Sequence, residues 1–189
     1  MPEAHHLARG SASDIAAWRH DLHAHPELRF DLPRTTAKVA GLLREFGVDE
    51  VTEGVGQSGI VAVFKGRKTT SGRVIGFRAD MDALPIHETA EVDYKSTHAG
   101  KMHACGHDTH TAILLATAKV LYSIKDQIPG QVKFIFQPAE EGPPPREEGG
   151  AALMVKEGVL TNPDVDAIFG LHISSKSTVG QVMLKPGSI

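Results

Sequence analysis

Nine consecutive residues, 102–110 (Met-His-Ala-Cys-Gly-His-Asp-Thr-His), hold three histidines, an aspartate and the only cysteine of the chain. Imidazole and thiolate are the ligand types that bind zinc and related divalent ions. His103, Cys105 and His107 alternate, so in an extended segment their side chains would share one face. Gly106 permits a tight backbone between Cys105 and His107. The same residues, taken alone, are also compatible with a small buried cysteine and idle surface histidines. A metal hydrolase needs more: further ligands, an open position for water, and a carboxylate that takes the proton of that water.

Candidates for those parts stand at the ends of apolar runs. Residues 73–78 (Arg-Val-Ile-Gly-Phe-Arg) lead into Asp80 and Asp82, and 131–136 (Gln-Val-Lys-Phe-Ile-Phe) lead into the pair Glu140-Glu141. A further run, 166–170, leads into His172. Acids just past the carboxyl end of a buried strand sit where open α/β sheets bind ligands. Adjacent glutamates can divide the labour if the chain turns sharply, one ligating while the other faces water. Strand ends that converge can therefore bring together Asp82, Cys105, His107, Glu140, Glu141 and His172.

The elements that must position these residues follow from periodicity and breakers. Ser13 is placed to cap a first helix through Ile15, Trp18 and Leu22 to about His23, ended by Pro26. His20 and His23 on this helix are expected to be exposed and without acidic partners. Pro33 suits the first turn of a helix that buries Val39, Leu42, Leu43 and Phe46 and stops at Gly47. Runs 59–64 and 73–78 read as neighbouring strands, with a hairpin as one way to join them. Asp108 or Thr109 can cap a helix carrying Ile113, Leu114, Ala118, Leu121 and Ile124, with His110 at its start. A strand at 131–136, a helix at 149–158, a strand at 166–170 and a last strand at 179–185 complete the chain, with a turn beginning at Pro186-Gly187. Helices alternating with apolar strands predict a layered α/β domain with a mixed, partly parallel sheet.

Composition narrows the class of protein. The 189 residues are 41% hydrophobic and 23% charged, enough for one cored domain. A net charge of −3 argues against nucleic acid or an anionic membrane as the main partner. No apolar run approaches the ~20 residues of a membrane span, and residues 1–10 lack the apolar core of a signal peptide. A single cysteine excludes an internal disulfide, so a cytoplasmic location is expected. Eleven histidines beside two tyrosines and one tryptophan point to metal or proton chemistry.

Three segments in order, 79–85 (Ala-Asp-Met-Asp-Ala-Leu-Pro), 102–108 (Met-His-Ala-Cys-Gly-His-Asp) and 136–142 (Phe-Gln-Pro-Ala-Glu-Glu-Gly), resemble the M20 metallopeptidase family. The resemblance is nearest to its amidohydrolase branch: hippurate hydrolases, N-acyl-amino-acid amidohydrolases and indole-acetyl-amino-acid hydrolases. Residues 22–28 (Leu-His-Ala-His-Pro-Glu-Leu) and 169–172 (Phe-Gly-Leu-His) fit the same pattern, whereas Phe30-Asp31-Leu32 stands where the family often has a more acidic run. The resemblance implies a zinc-exopeptidase-like catalytic domain holding two divalent ions, zinc or manganese, with nickel or cobalt as alternatives. It implies that Cys105 bridges the ions, that His107, Glu141 and His172 complete most of the shell, and that Glu140 is the general base. Asp82 matches the acid that supports the site, Asp80 is its companion, and His103 matches the motif without being a ligand.

The implied reaction is hydrolysis of the amide of an N-acyl amino acid or short peptide; a dipeptidase or deacetylase of the wider family is the alternative. The cysteine motif favours the amidohydrolase branch, because peptidase branches usually carry aspartate at the bridging position. Members of the family run well beyond this length, through a lid or dimerisation domain and a return to the catalytic domain that supplies another histidine ligand. On that expectation residues 1–189 are the first part of a catalytic domain, a poor catalyst alone or an inactive metal-binding fragment, and able to form a homo-oligomer.

Overall fold

The computed structural model describes residues 2–68 and 71–184. In chain order they form α1 (Pro2–Gly10), α2 (Ala12–Ala24), α3 (Pro33–Glu45), β1 (Glu50–Val55), β2 (Gly59–Lys65), β3 (Val74–Asp80), α4 (His107–Ser123), β4 (Gln131–Gln137), α5 (Gly150–Lys156) and β5 (Ala167–Gly170). The strands make one sheet in the order β1-β2-β4-β3-β5. β1, β2 and β4 pair antiparallel, while β4, β3 and β5 are parallel. This is the mixed, helix-flanked α/β sheet expected from the sequence.

β4 explains the architecture. All of its residues after Gln131 are buried, so it takes a central place in the sheet, where both faces are covered. Its even-numbered residues Val132, Phe134 and Phe136 join Ile60, Phe64, Val39, Leu43 and Leu115 in the main core, under α3 and α4. Ile135 points to the opposite face, where it meets Met154 of α5 and Val159. The period of two along one strand thus builds a core on each side of the sheet.

Several expectations need correction. Runs 59–64 and 73–78 are not neighbours, because β4 lies between β2 and β3. Helix α4 supplies the crossover that lets β3 and β4 pair in parallel; apolar content alone does not encode a strand's partner. The first long helix starts at Ala12 rather than after a Ser13 cap, and the polar segment before it is itself helical. Ser11 joins the two, its amide and hydroxyl both donating to the Leu7 carbonyl. The edge strand β1 escapes a reading by apolar runs because its sequence is polar and largely exposed. Residues 179–184 form no strand: Val179, Val182, Met183 and Leu184 are exposed, with no neighbouring strand to pair against among the described residues. Lys185 and the turn at Pro186-Gly187 lie outside the described residues. None of the described helices is long and apolar enough to cross a membrane.

Among the described residues, Lys133 is the one lysine buried in the sheet. Its side chain is buried on the α5 face, and Nζ donates to the carbonyls of Val159, Thr161 and Pro163 at 3.0, 3.0 and 2.9 Å. Burial lowers its pKa, and these three acceptors solvate the ammonium in place of water. They also fasten the 158–165 turns that lead into β5. Lys133→Met should strand those carbonyls and cost about 1–3 kcal/mol in unfolding free energy. Urea titration would show it, and a midpoint equal to that of the parent would contradict the role.

Candidate metal centre

Three strand ends and one helix start meet at the carboxyl edge of the parallel strands. β3 delivers Asp80 and Asp82, β4 delivers Glu140 and Glu141, β5 delivers His172, and the approach to α4 delivers Cys105 and His107. All six predicted residues therefore converge. Cys105, His107 and His172 present ligand atoms within 4.8 Å of one another, and so do His107, Glu140 and Glu141, and Asp80, His107 and His110.

The two imidazoles are oriented in the same way. His107 Nδ1 donates to the Asp82 carbonyl at 2.8 Å, and His172 Nδ1 donates to the Ile173 carbonyl at 2.6 Å. Each Nε2 is left as a lone pair. That of His172 lies 3.4 Å from Cys105 Sγ. That of His107 is buried without any hydrogen-bond partner. Oxygens of Glu140, Glu141 and Asp80 stand around it at 3.6, 3.7 and 3.7 Å, beyond hydrogen-bonding distance. A metal-ligating histidine anchored through its other nitrogen has this arrangement.

Asp82 builds the acidic side of the site. Its buried carboxylate accepts the backbone N–H of Glu140 at 2.9 Å and of Glu141 at 3.1 Å. Ala139 just before them takes φ 47°, the sharp turn that adjacent, divergent glutamates require. The Glu140 side chain is 38% exposed and that of Glu141 21%, so both face open space while their amides are fixed. A cavity of about 660 Å³ adjoins Glu141 and is walled by Leu28, Phe30, Leu84, Pro85 and Pro144.

Burial and neighbouring charges shift the titration of several groups in the cluster. Burial, a hydrogen bond with Glu141, and the charges of Glu141, Glu140 and Asp80 push the Cys105 thiol up to about 11. Burial alone would raise Asp80, but the His110 hydrogen bond and the charges of His107 and Arg78 outweigh it and hold Asp80 at about 2. Burial opposes protonation of His107, yet the Asp82, Asp80 and Glu141 carboxylates raise its pKa. Carboxylates, a thiol and bare imidazole nitrogens facing one another form a donor set that a divalent cation balances, and the cation would favour the thiolate.

The segment before α4 departs from the alternation expected for it. Residues 103–106 are not a strand, so only Cys105 and His107 share the site. His103 is buried on the side of α2, its ring 6.4 Å from that of His23, and neither of its nitrogens has a partner. Burial brings its pKa down to about 4. α4 begins one residue before Asp108, with Gly106 in the left-handed region at φ 87°. Asp108, expected as a cap, is instead a buried anchor.

That anchor holds a network that was not foreseen. His23 is buried, with Nδ1 2.8 Å from Asp108 and Nε2 3.0 Å from Glu88, and Arg19 Nε donates to the same Asp108 oxygen at 2.8 Å. The acidic partners lie 85 and 65 residues away in the chain, so local sequence gave no signal for them. Only the Leu-His-Ala-His segment at 22–25 hinted that His23 had a role.

The segments that converge here also lie within the reach of a family model. The model for peptidase family M20/M25/M40 matches residues 76–187. The chain belongs to peptidase family M20/M25/M40. A thermostable carboxypeptidase of Saccharolobus solfataricus is 42% identical over 186 residues, covering 96% of the chain and 45% of that protein. An N-acyl-L-amino acid amidohydrolase of Geobacillus stearothermophilus is 43% identical over 170 residues, covering 90% and 44%. Among solved structures, a dinuclear metal binding peptidase of the M20 family from Bacillus subtilis aligns with TM-score 0.79 and 40% identity over 89% of this chain and 44% of that one. The chain thus spans a little under half the length of these M20 relatives.

The His23 network carries a pH signature. Hydrogen bonds from the His23 ring to Asp108 and Glu88 raise the His23 pKa against the opposing effect of burial, and the pKa values of both carboxylates are lowered. The carboxylate contribution is complete above the unfolded values of 3.8 and 4.5 and fades in acid. The His23 contribution is complete below 6.5 and fades as pH rises through its elevated folded value. Replacement by His23→Gln should therefore cost most between about pH 4.5 and 6.5, on the order of 1.5–3 kcal/mol, and less in alkali. Urea unfolding across this range tests it; a cost that grows above neutrality would contradict the charged pair.

Proposed function

We propose that the protein is a metal-dependent amidohydrolase that cleaves the amide bond of N-acyl amino acids. The observation that carries this reading is the buried, unpartnered Nε2 of His107 among the oxygens of Glu140, Glu141 and Asp80, beside the Cys105–His172 contact. Cys105, His107, Glu141 and His172 would hold the ions, two in a complete site. Thiolate and imidazole donors suit zinc, manganese is the alternative, and nickel or cobalt also fit the donor types. A bound divalent ion supplies Lewis acidity, polarising a carbonyl and lowering the pKa of water from 15.7 to about 7.

The chain's own groups divide the remaining work. Glu140 is the general base: its side chain faces open space while Asp82 fixes its amide. It takes one proton from water as the oxygen attacks the amide carbon, and returns that proton to the nitrogen as the C–N bond breaks. An acid and an amine leave. Asp82 positions both glutamates and the His107 ring. The cavity walled by Leu28, Phe30, Leu84, Pro85 and Pro144 suits an apolar part of the substrate. The carboxypeptidase among the relatives favours short peptides as a second substrate class.

In the full-length enzyme, exchange of Glu140→Gln should lower hydrolysis of N-acyl amino acids by about 10²–10⁴-fold with metal content intact. The neighbouring Glu141→Gln should lower metal content itself, read by elemental analysis after dialysis. A loss below about tenfold in the Glu140 variant would remove it from the base role.

A further inference from the structure

One buried imidazole at this edge has no part in the reaction above. His110 lies one turn into α4, with both ring nitrogens engaged. Its Nδ1 is 2.7 Å from Asp80 Oδ1, and since that carboxylate can only accept, Nδ1 carries the proton. Asp80 is held in turn by Arg78, at 2.6 Å, and its backbone carbonyl accepts the Thr111 hydroxyl at 2.8 Å. The tautomer so fixed leaves a lone pair at His110 Nε2. That lone pair accepts the backbone N–H of Ile173 at 3.0 Å.

Ile173 follows His172, beyond the end of β5. Among the described residues, two hydrogen bonds tie 172–184 to the preceding part of the chain: Cys105 Sγ with His172 Nε2, and the Ile173 amide to His110. The Ile173 side chain lies over Gly106, where an added Cβ would sit 2.3 Å from Ile173 Cδ1, and the His110 ring is 4.6 Å from that of His172 in a T-shaped contact. The His172 ring is therefore placed from below by His110, through one backbone amide and one ring face.

We propose that His110 is a positioning residue: with its proton held on Nδ1 by Asp80, its Nε2 fastens the Ile173 amide and so sets the His172 imidazole opposite Cys105. The alternative tautomer would present an N–H to the Ile173 N–H and release the segment. The inference rests on the reading of His172 as a metal ligand for its functional consequence, but the His110–Ile173 bond itself is independent of metal.

Two substitutions at His110 separate hydrogen bonding from packing. His110→Met keeps bulk without an acceptor in that place, and His110→Gln offers an amide oxygen at similar reach. In metal-free protein, hydrogen exchange of the Ile173 amide should accelerate at least tenfold in the Met variant and stay near the parent rate in the Gln variant. Cobalt(II) affinity should fall about 10–100-fold in the Met variant and be largely rescued by Gln. Ile173→Pro removes the donor from the exposed side, leaves the core untouched, and should lower cobalt affinity to the same extent, so the test survives if His110→Met does not fold. Unchanged Ile173 exchange in the Met variant, equal losses in the Met and Gln variants, or parent affinity in Ile173→Pro would each overturn the proposal. A parent protein that binds no cobalt would instead overturn the metal reading, while the Ile173 exchange rates still decide the role of His110.

Discussion

The carboxylate of Asp82 accepts two consecutive backbone amides, those of Glu140 and Glu141, while the carbonyl of the same residue accepts the Nδ1 proton of His107. One residue thus joins the end of β3 to the turn after β4 and to the first residue of α4. The consequence is geometric. Two neighbouring glutamates cannot be spread by their own torsions alone, so their amides are pinned and the Ala139 backbone takes up the turn. The His107 ring is held in the tautomer that leaves Nε2 bare. Replacing the Asp82 side chain would free the Glu140 and Glu141 amides, while the main-chain carbonyl at this position would still hold the His107 ring.

Such an arrangement runs against ordinary burial energetics. Carboxylates removed from water resist ionisation and a thiol among them resists it further, which is why the Cys105 thiol is pushed up to about 11. Buried polar atoms without partners are uncommon in folded proteins. Both facts are natural in a site shaped for a cation, where the charge of the ion reverses the local preference. The cost is borne by the surrounding framework: Arg78 on Asp80, His110 between Asp80 and Ile173, and the Arg19–His23–Asp108–Glu88 network that ties α2 to α4.

Much of this was legible in the sequence, for identifiable reasons. Apolar runs ending in acids marked β3 and β4 and the edge at which they finish, and the Cys105-Gly106-His107 spacing marked the approach to α4. Pro33 and Gly47 bounded α3 as their backbone preferences dictate. Strand neighbours were not legible, because the pairing of β4 between β2 and β3 depends on a crossover and on burial of both its faces. His23 was misread as exposed because its partners, Asp108 and Glu88, are distant in the chain. The place of His110 is illegible for the same reason: its hydrogen-bond partners are one side chain at the end of β3 and one backbone amide after β5. Alternation misled at His103, since the segment is not extended and the ring turns toward α2.

The proposed function requires that these strand ends converge on a divalent cation through sulfur and nitrogen. X-ray absorption at the zinc edge, on protein reconstituted with zinc and freed of excess metal, reads the donor atoms directly. The account predicts a sulfur scatterer at about 2.3 Å together with nitrogen or oxygen at about 2.0–2.1 Å, with the sulfur contribution lost in Cys105→Ser. A shell of oxygen donors only, unchanged by that substitution, would contradict it.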